Sequence, residues 1–231
     1  MSQLDMMSLE RVQVEERAFI SRVYLWMTAA LMLTAVIASA VANDAAFMLQ
    51  LATTGLIWVF FVAEILLVIV LSAAINRLST TAATAIFFAY AALNGVTLSL
   101  IFWVYTDASI GVTFLVTAGT FGVMSMIGFV TQRDLTRLGG LLIMGLIGFL
   151  IASVVNLFLQ SEGIYWLTTF AGIAIFVGLI AYDTQKLKRM AVTVQANGEV
   201  AHKASIVGAL ALYLDFINLF LLLLRLFGRR R

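Results

Sequence analysis

Cysteine and proline are both absent from the 231 residues, and histidine occurs once, at His202. Without cysteine there are no disulfides, no thiolate metal sites and no thiol nucleophiles. Without proline, any kink or gate must come from glycine, a buried polar group or the displacement of a helix. A single histidine, read here as a solvated loop residue, leaves little basis for zinc, haem or serine-type catalysis. Charge is scarce too, at 11% of residues, with 14 Lys and Arg against 12 Asp and Glu. That small excess owes much to the terminal Arg229, Arg230 and Arg231, so nucleic-acid binding has no support and lipid headgroups are the natural partners of the cations.

What is abundant is apolar: 63% of residues are hydrophobic and the mean hydropathy is +1.06. One soluble core of this length could not hide so much apolar surface. The chain therefore reads as an all-α integral membrane protein. Apolar runs fall at about 23–42, 54–75, 83–104, 109–129, 139–159, 164–182 and 206–228. Each is close to the ~20 residues that cross ~30 Å of hydrocarbon. Seven transmembrane helices follow, as one domain over residues 23–231, with residues 1–22 as a short amphipathic segment that a signal peptidase would leave in place. Ten methionines read as packing filler. Small residues four apart, Ala118 with Gly122, Gly148 with Ala152 and Ala174 with Gly178, are expected to let helix backbones approach closely.

The cations are unevenly placed. Arg11, Arg17 and Arg22 precede the first span, Arg77 follows the second, and Arg133 and Arg137 follow the fourth. Lys186, Lys188, Arg189 and Lys203 lie between the sixth and seventh, and the odd-numbered loops have none. The positive-inside rule then puts the N-terminus and the even loops in the cytoplasm. The arginine tail breaks the pattern, because a seventh span that crosses leaves it outside. Crossing is favoured, since the run is long enough and the last helix contributes least to orientation.

Carboxylates inside a bilayer are expensive and normally face the bundle interior or water. Glu64, in FFVAEILLVIV, falls near the middle of the second span. Asp215, in LYLDFINLF, lies about nine residues, or ~13 Å, into the last span, one turn before Asn218. Asp183, in AYDTQKLKRM, stands at the cytoplasmic edge of the sixth span, where it can pair with Lys186 or a headgroup. The two aspartates differ in depth, so they meet only if a helix tilts or a water-filled cytoplasmic cavity brings them level. If they meet, they cannot comfortably both ionise and would share one proton. Arg77, at the cytoplasmic end of the second span, would compete for the same carboxylate.

Such a pair suits three chemistries. Proton sensing needs only shared protonation and a movable helix. Cation conduction needs acidic oxygens along a pore, and two carboxylates supply part of the 6–8 oxygens that Ca²⁺ takes. Intramembrane proteolysis also uses paired aspartates. Presenilin-type proteases, however, carry GxGD at the second aspartate, where this chain has Leu212, Tyr213 and Leu214, and a PAL motif that a proline-free chain cannot contain. No HExxH, P-loop or GxSxG occurs, and Ser125 has no histidine beside it in sequence. An enzyme is not expected.

Four ordered stretches, NGVTLSLIF at 94–102, FGVMSMIGFVTQRDLTRLGGLL at 121–142, AYDTQKLKRM and GALALYLDFINLFLLLLRLFG at 208–228, resemble the Bax inhibitor-1 family in its bacterial form. The likeness spans nearly the whole chain beyond the N-terminal segment. It implies seven helices with the last one central, and a pH-sensitive calcium leak across the bacterial inner membrane governed by an aspartate pair. By motif the pair is Asp183 and Asp215, which would serve as pH sensor and gate and as the contact for Ca²⁺ as transported ion, with no cofactor. The family's arginine after the second helix maps to Arg77, and the arginine ten residues beyond the second aspartate to Arg225. Glu64, Asn218 and Arg225 are the further candidates for an ion pathway. Some bacterial relatives are thought to modulate a membrane-anchored ATP-dependent protease of the FtsH type, which makes such a protease the alternative partner, docking on the N-terminal segment or the loop between spans six and seven.

Overall fold

A computed structural model describes residues 3–193 and 198–231, with side chains described from residue 14 onward. Nine helices account for almost all of the described residues: α1 (Gln3–Ala42), α2 (Ala45–Thr53), α3 (Leu56–Ala73), α4 (Thr80–Leu98), α5 (Ile101–Val104), α6 (Asp107–Val130), α7 (Thr136–Leu159), α8 (Glu162–Thr193) and α9 (Gly198–Phe227). Seven stretches are long and apolar enough to cross a membrane, one of them made of α4 and α5 together. The seven expected spans are all present.

Their ends differ from the expectation in an instructive way. The sixth span was expected to stop at residue 182, yet α8 runs on through Asp183, Lys186 and Arg189 to Thr193. At ~1.5 Å per residue its 32 residues reach about 48 Å, well beyond a ~30 Å hydrocarbon layer. Neither glycine nor proline occurs between Gly178 and Gly198. Polar residues such as Gln185 and Lys186 end an apolar run but do not end a helix. In the same way α1 carries the N-terminal segment into the first span without a break. Elsewhere the stops follow local chemistry: Asp44 caps α2 through Phe47 N, Ser79 caps α4 through Ala82 N, and Thr106 caps α6 through Ser109 N.

The chain divides into two compact units. The first comprises residues up to Tyr105 together with Lys188–Tyr213 and Arg231. Here α1 lies hard against α4: a methyl group at Gly95 would meet Thr34 O at 2.8 Å and Ile37 Cβ at 2.9 Å. Thr34 Oγ1 crosses the same seam to Ala91 O, 2.8 Å away. Tyr213 is fully buried, with the rings of Phe87 and Tyr90 set edge-on to it. His202 is not a solvated loop residue; it belongs to α9, half-buried, with its ring 5.7 Å from that of Trp26.

The second unit comprises Thr106–Leu187 and Leu214–Arg230. Phe114 and Phe121 of α6 meet Phe216 of α9 edge-on, and Phe149 of α7 meets Phe176 of α8. Glycine makes three of its close approaches possible. A Cβ on Gly128 would collide with the backbone of Ala181, one on Gly139 with the ring of Tyr182, and one on Gly172 with Leu222 and Phe149 at 2.8 Å. Two of the expected small-residue positions do not behave this way: a methyl group on Gly122 or Gly148 would touch nothing within 4 Å. Gly178 does, with Leu142 at 2.8 Å. Four-residue spacing marks a smooth face, and only the partner decides whether that face is used.

Burial separates the spans. Of the most apolar stretch of α9, 72% is buried, against none for α7. Leu115, Leu141, Met144 and Phe158 stand exposed on α6 and α7, as lipid-facing residues do. The arginine tail settles how the last span ends. Thr106 N donates to Arg229 O at 3.0 Å, and Arg229 N to Ser109 Oγ at 3.0 Å. The tail thus lies at the start of α6, opposite the loop after α6 that carries Arg133. At 30 residues, α9 is long and apolar enough to cross a membrane.

Candidate functional site

The sequence placed Asp183 at a membrane edge and Asp215 deep in a span, and the structure brings them together. Their side chains face each other within the second unit, close enough to share a hydrogen bond. A hydrogen bond between two carboxyl groups exists only when one of them holds a proton. Asp215 is 4% exposed, whereas Asp183 is half-buried. One member of the pair is thus sealed in protein and the other is within reach of water. Oδ2 of Asp215 is buried and receives no N–H or hydroxyl donor. A buried acceptor without a donor costs roughly 1–3 kcal/mol, and a proton shared with Asp183 or a cation would offset that cost.

Several neighbours fix Asp183. Gln185, two residues on, holds the loop between α6 and α7 by both ends of its amide: Nε2 donates to Arg133 O at 2.8 Å, and Leu135 N donates to Oε1 at 2.9 Å. Gly128 and Gly139 let α6 and α7 come right up to Ala181 and Tyr182, the two residues before Asp183. Two consecutive positions and Gln185 therefore clamp this part of α8 to its neighbours. Gln185 and Gly128 were not singled out in the sequence, although the glutamine belongs to the YDTQ stretch and the glycine to FGVMSMIGF. The loop that Gln185 grips is the one bearing Arg133 and Arg137, so the pair lies at the cation-rich end of the spans.

The remaining candidates are placed differently. Arg77 belongs to the first unit, exposed on the 3₁₀ turn Ile75–Arg77 after α3. Lys186, one turn further along α8, brings its charge to bear on Asp183. Glu64 is buried in the first unit with both oxygens occupied: Thr97 Oγ1 donates to Oε1 at 2.8 Å and Asn94 Nδ2 to Oε2 at 3.3 Å. Tyr213 donates in turn to Asn94 Oδ1 at 3.1 Å. Asn218 spends its amide on its own helix, donating to Leu214 O at 2.8 Å. Arg225 sits over the Tyr165 ring, 4.8 Å from its centre and about 15 Å along α9 from Asp215.

Among the described residues no group of three or more His, Asp and Glu side chains could hold a metal ion. Two carboxylates remain a partial shell for a passing Ca²⁺ and do not amount to a resident site. Ser125 Oγ is buried without a partner. The expected docking surface for a protease partner includes residues 1–13 and 194–197, which lie outside the described side chains.

Seven apolar helices and a carboxyl pair buried at one end of them define a multi-pass membrane protein whose distinctive chemistry is acidic. Residues 16–231 match the family model described as inhibitor of apoptosis-promoting Bax1, and the chain belongs to that family. It is 52% identical over 217 residues to the inner membrane protein YbhL of Escherichia coli K12, covering 93% of each chain. A protein of Borreliella burgdorferi is 44% identical over 92% of both chains, and one of Deinococcus radiodurans 42% identical over 97% of this chain and 96% of the relative.

Proposed function

We propose that the protein is a passive, pH-gated calcium leak of the bacterial inner membrane, with its N-terminus in the cytoplasm, in which Asp183 and Asp215 are sensor and gate. The observation that carries this reading is the juxtaposition of the two carboxyl groups, together with a buried Oδ2 on Asp215 that receives no N–H or hydroxyl donor. With one shared proton the pair is a monoanionic latch joining α8 to α9. Loss of that proton leaves two negative charges in contact, which repel and favour separation of the helices. The same two charges attract a divalent cation. Proton and Ca²⁺ therefore compete for one set of oxygens, and Lys186 supplies the cation that moderates the charge on Asp183. Because α8 is clamped near Asp183 by Gln185, Gly128 and Gly139, α9 is the element free to respond, and its movement would shift a two-state equilibrium. Glu64, with every oxygen already bonded, serves in this reading as a fixed polar lining and not as a second sensor.

The test is Ca²⁺ flux into proteoliposomes across a pH series. Wild-type protein is expected to show flux that changes with pH, and Asp183→Asn/Asp215→Asn flux that does not. Identical small flux in both would remove the mechanism.

A further inference from the structure

The cation left over by this account is Arg225. It stands at the far end of α9 from the carboxyl pair, half-buried in a cavity of about 500 Å³ formed by the outer parts of α7, α8 and α9. Its guanidinium stacks on the Tyr165 ring, and no carboxylate lines the cavity. Glu162, one turn before Tyr165, is exposed and outside the lining. Two neutral groups complete a donor set. Ser153 Oγ is buried and has no partner. Asn156 Oδ1 accepts from Ser161 N at 2.9 Å, which fixes the amide and leaves its NH₂ to donate. Arg230 adds a second positive charge at the rim, donating to the Tyr165 hydroxyl at 3.5 Å.

A guanidinium, an amide NH₂ and a hydroxyl with no acid among them make a site for a phosphate-type anion. The walls say which kind. Leu150, Val154 and Leu157 also line the cavity, and they are 53%, 55% and 66% exposed on the outer face of α7. Spaced at i, i+4 and i+7, they form one apolar stripe running from the anion donors towards the middle of the membrane. A soluble phosphate would have no use for that stripe, whereas an acyl chain would lie along it.

We propose that this cavity binds the headgroup of an anionic phospholipid, with the phosphodiester on Arg225, Asn156 and Ser153 and one chain along Leu150, Val154 and Leu157. The site also gives the arginine-rich end of the chain a function on the face of the membrane where cations are otherwise missing from the loops. It is independent of the gating reading, since it shares no residue with the aspartate pair.

Native mass spectrometry of the delipidated full-length protein tests it, with phosphatidylglycerol, phosphatidylethanolamine and inorganic phosphate as probes. Phosphatidylglycerol is expected to be retained over phosphatidylethanolamine, and Arg225→Gln to cut that retention about tenfold, as loss of a charge-assisted hydrogen bond does. Asn156→Ala, which keeps the arginine, should weaken it by a smaller factor, and this variant decides the matter if Arg225→Gln does not fold. Equal retention of the two lipids, or retention that neither substitution changes, would overturn the proposal. Displacement of phosphatidylglycerol by inorganic phosphate would overturn it too, by making the occupant a soluble anion.

Discussion

Among the described residues two carboxyl groups are buried, Glu64 and Asp215, and they are opposites. Glu64 has a donor for each oxygen, from Thr97 and Asn94, and Tyr213 braces Asn94 from behind. Asp215 has another acid beside it and no N–H or hydroxyl donor on its buried Oδ2. Both are buried, at 8% and 4% exposed, so burial does not distinguish them. What distinguishes them is whether the surroundings finish the hydrogen bonding. A finished acid is part of the fold, and its charge state is held by its neighbours. An unfinished one depends on a proton or cation that can come and go, which is what a sensor requires.

The contrast can be broken or sharpened by substitution. The largest effect is expected from Asp215→Asn, whose amide would donate permanently to Asp183; the pH dependence of Ca²⁺ flux should collapse to a flat line across the series. A flux that still follows pH would shift sensing elsewhere. Next is Gly128→Ala, which drives a methyl group into the Ala181 backbone and should cost about 3 kcal/mol by the usual penalty for overpacking. The control is Gly122→Ala, where nothing lies within 4 Å; thermal unfolding in detergent should show a large loss for the first and almost none for the second. Gln185→Leu leaves Leu135 N–H and Arg133 C=O unmet and should cost roughly 1–3 kcal/mol. The same unfolding assay reads that loss, and in the proteoliposome assay the variant should displace the pH profile of flux without abolishing it, because the clamp on Asp183 is loosened while both acids remain. The smallest effect is expected for Glu64→Gln. The amide keeps an acceptor for Thr97 and meets Asn94 less well, so stability should change by no more than about 1 kcal/mol, with the pH profile of flux unmoved. A profile as flat as that of Asp215→Asn would make the two sites alike and dissolve the contrast.

These differences were only partly legible in the sequence. Hydropathy marked all seven spans, because ~20 apolar residues in a row have few other uses. It misplaced the C-terminal end of α8, since Lys186, Lys188 and Arg189 end the apolar run while being good helix formers. Asp183 and Asp215 stood out because isolated acids in apolar surroundings are rare, and the two motifs around them matched those of the Bax inhibitor-1 family. Their different depths in the apolar runs gave no reason for them to touch. Glu64 looked as much like a functional acid as Asp215 did. Its partners Asn94 and Thr97 lie on another helix, 30 and 33 residues away, and no local pattern announces a contact across that distance. Gln185 and Gly128 were equally silent, since what they do is defined by the backbone they meet.

The central claim, that Asp183 and Asp215 hold one proton between them, is open to infrared difference spectroscopy of the protonated carboxyl stretch, wild type minus Asp215→Asn, across the pH range in which Ca²⁺ flux changes. The gating reading predicts a carboxyl band that fades over the same pH interval as the flux changes and disappears equally in Asp183→Asn. A band absent from the difference spectrum throughout that interval, or one that survives unchanged when Asp183 is replaced, would contradict it.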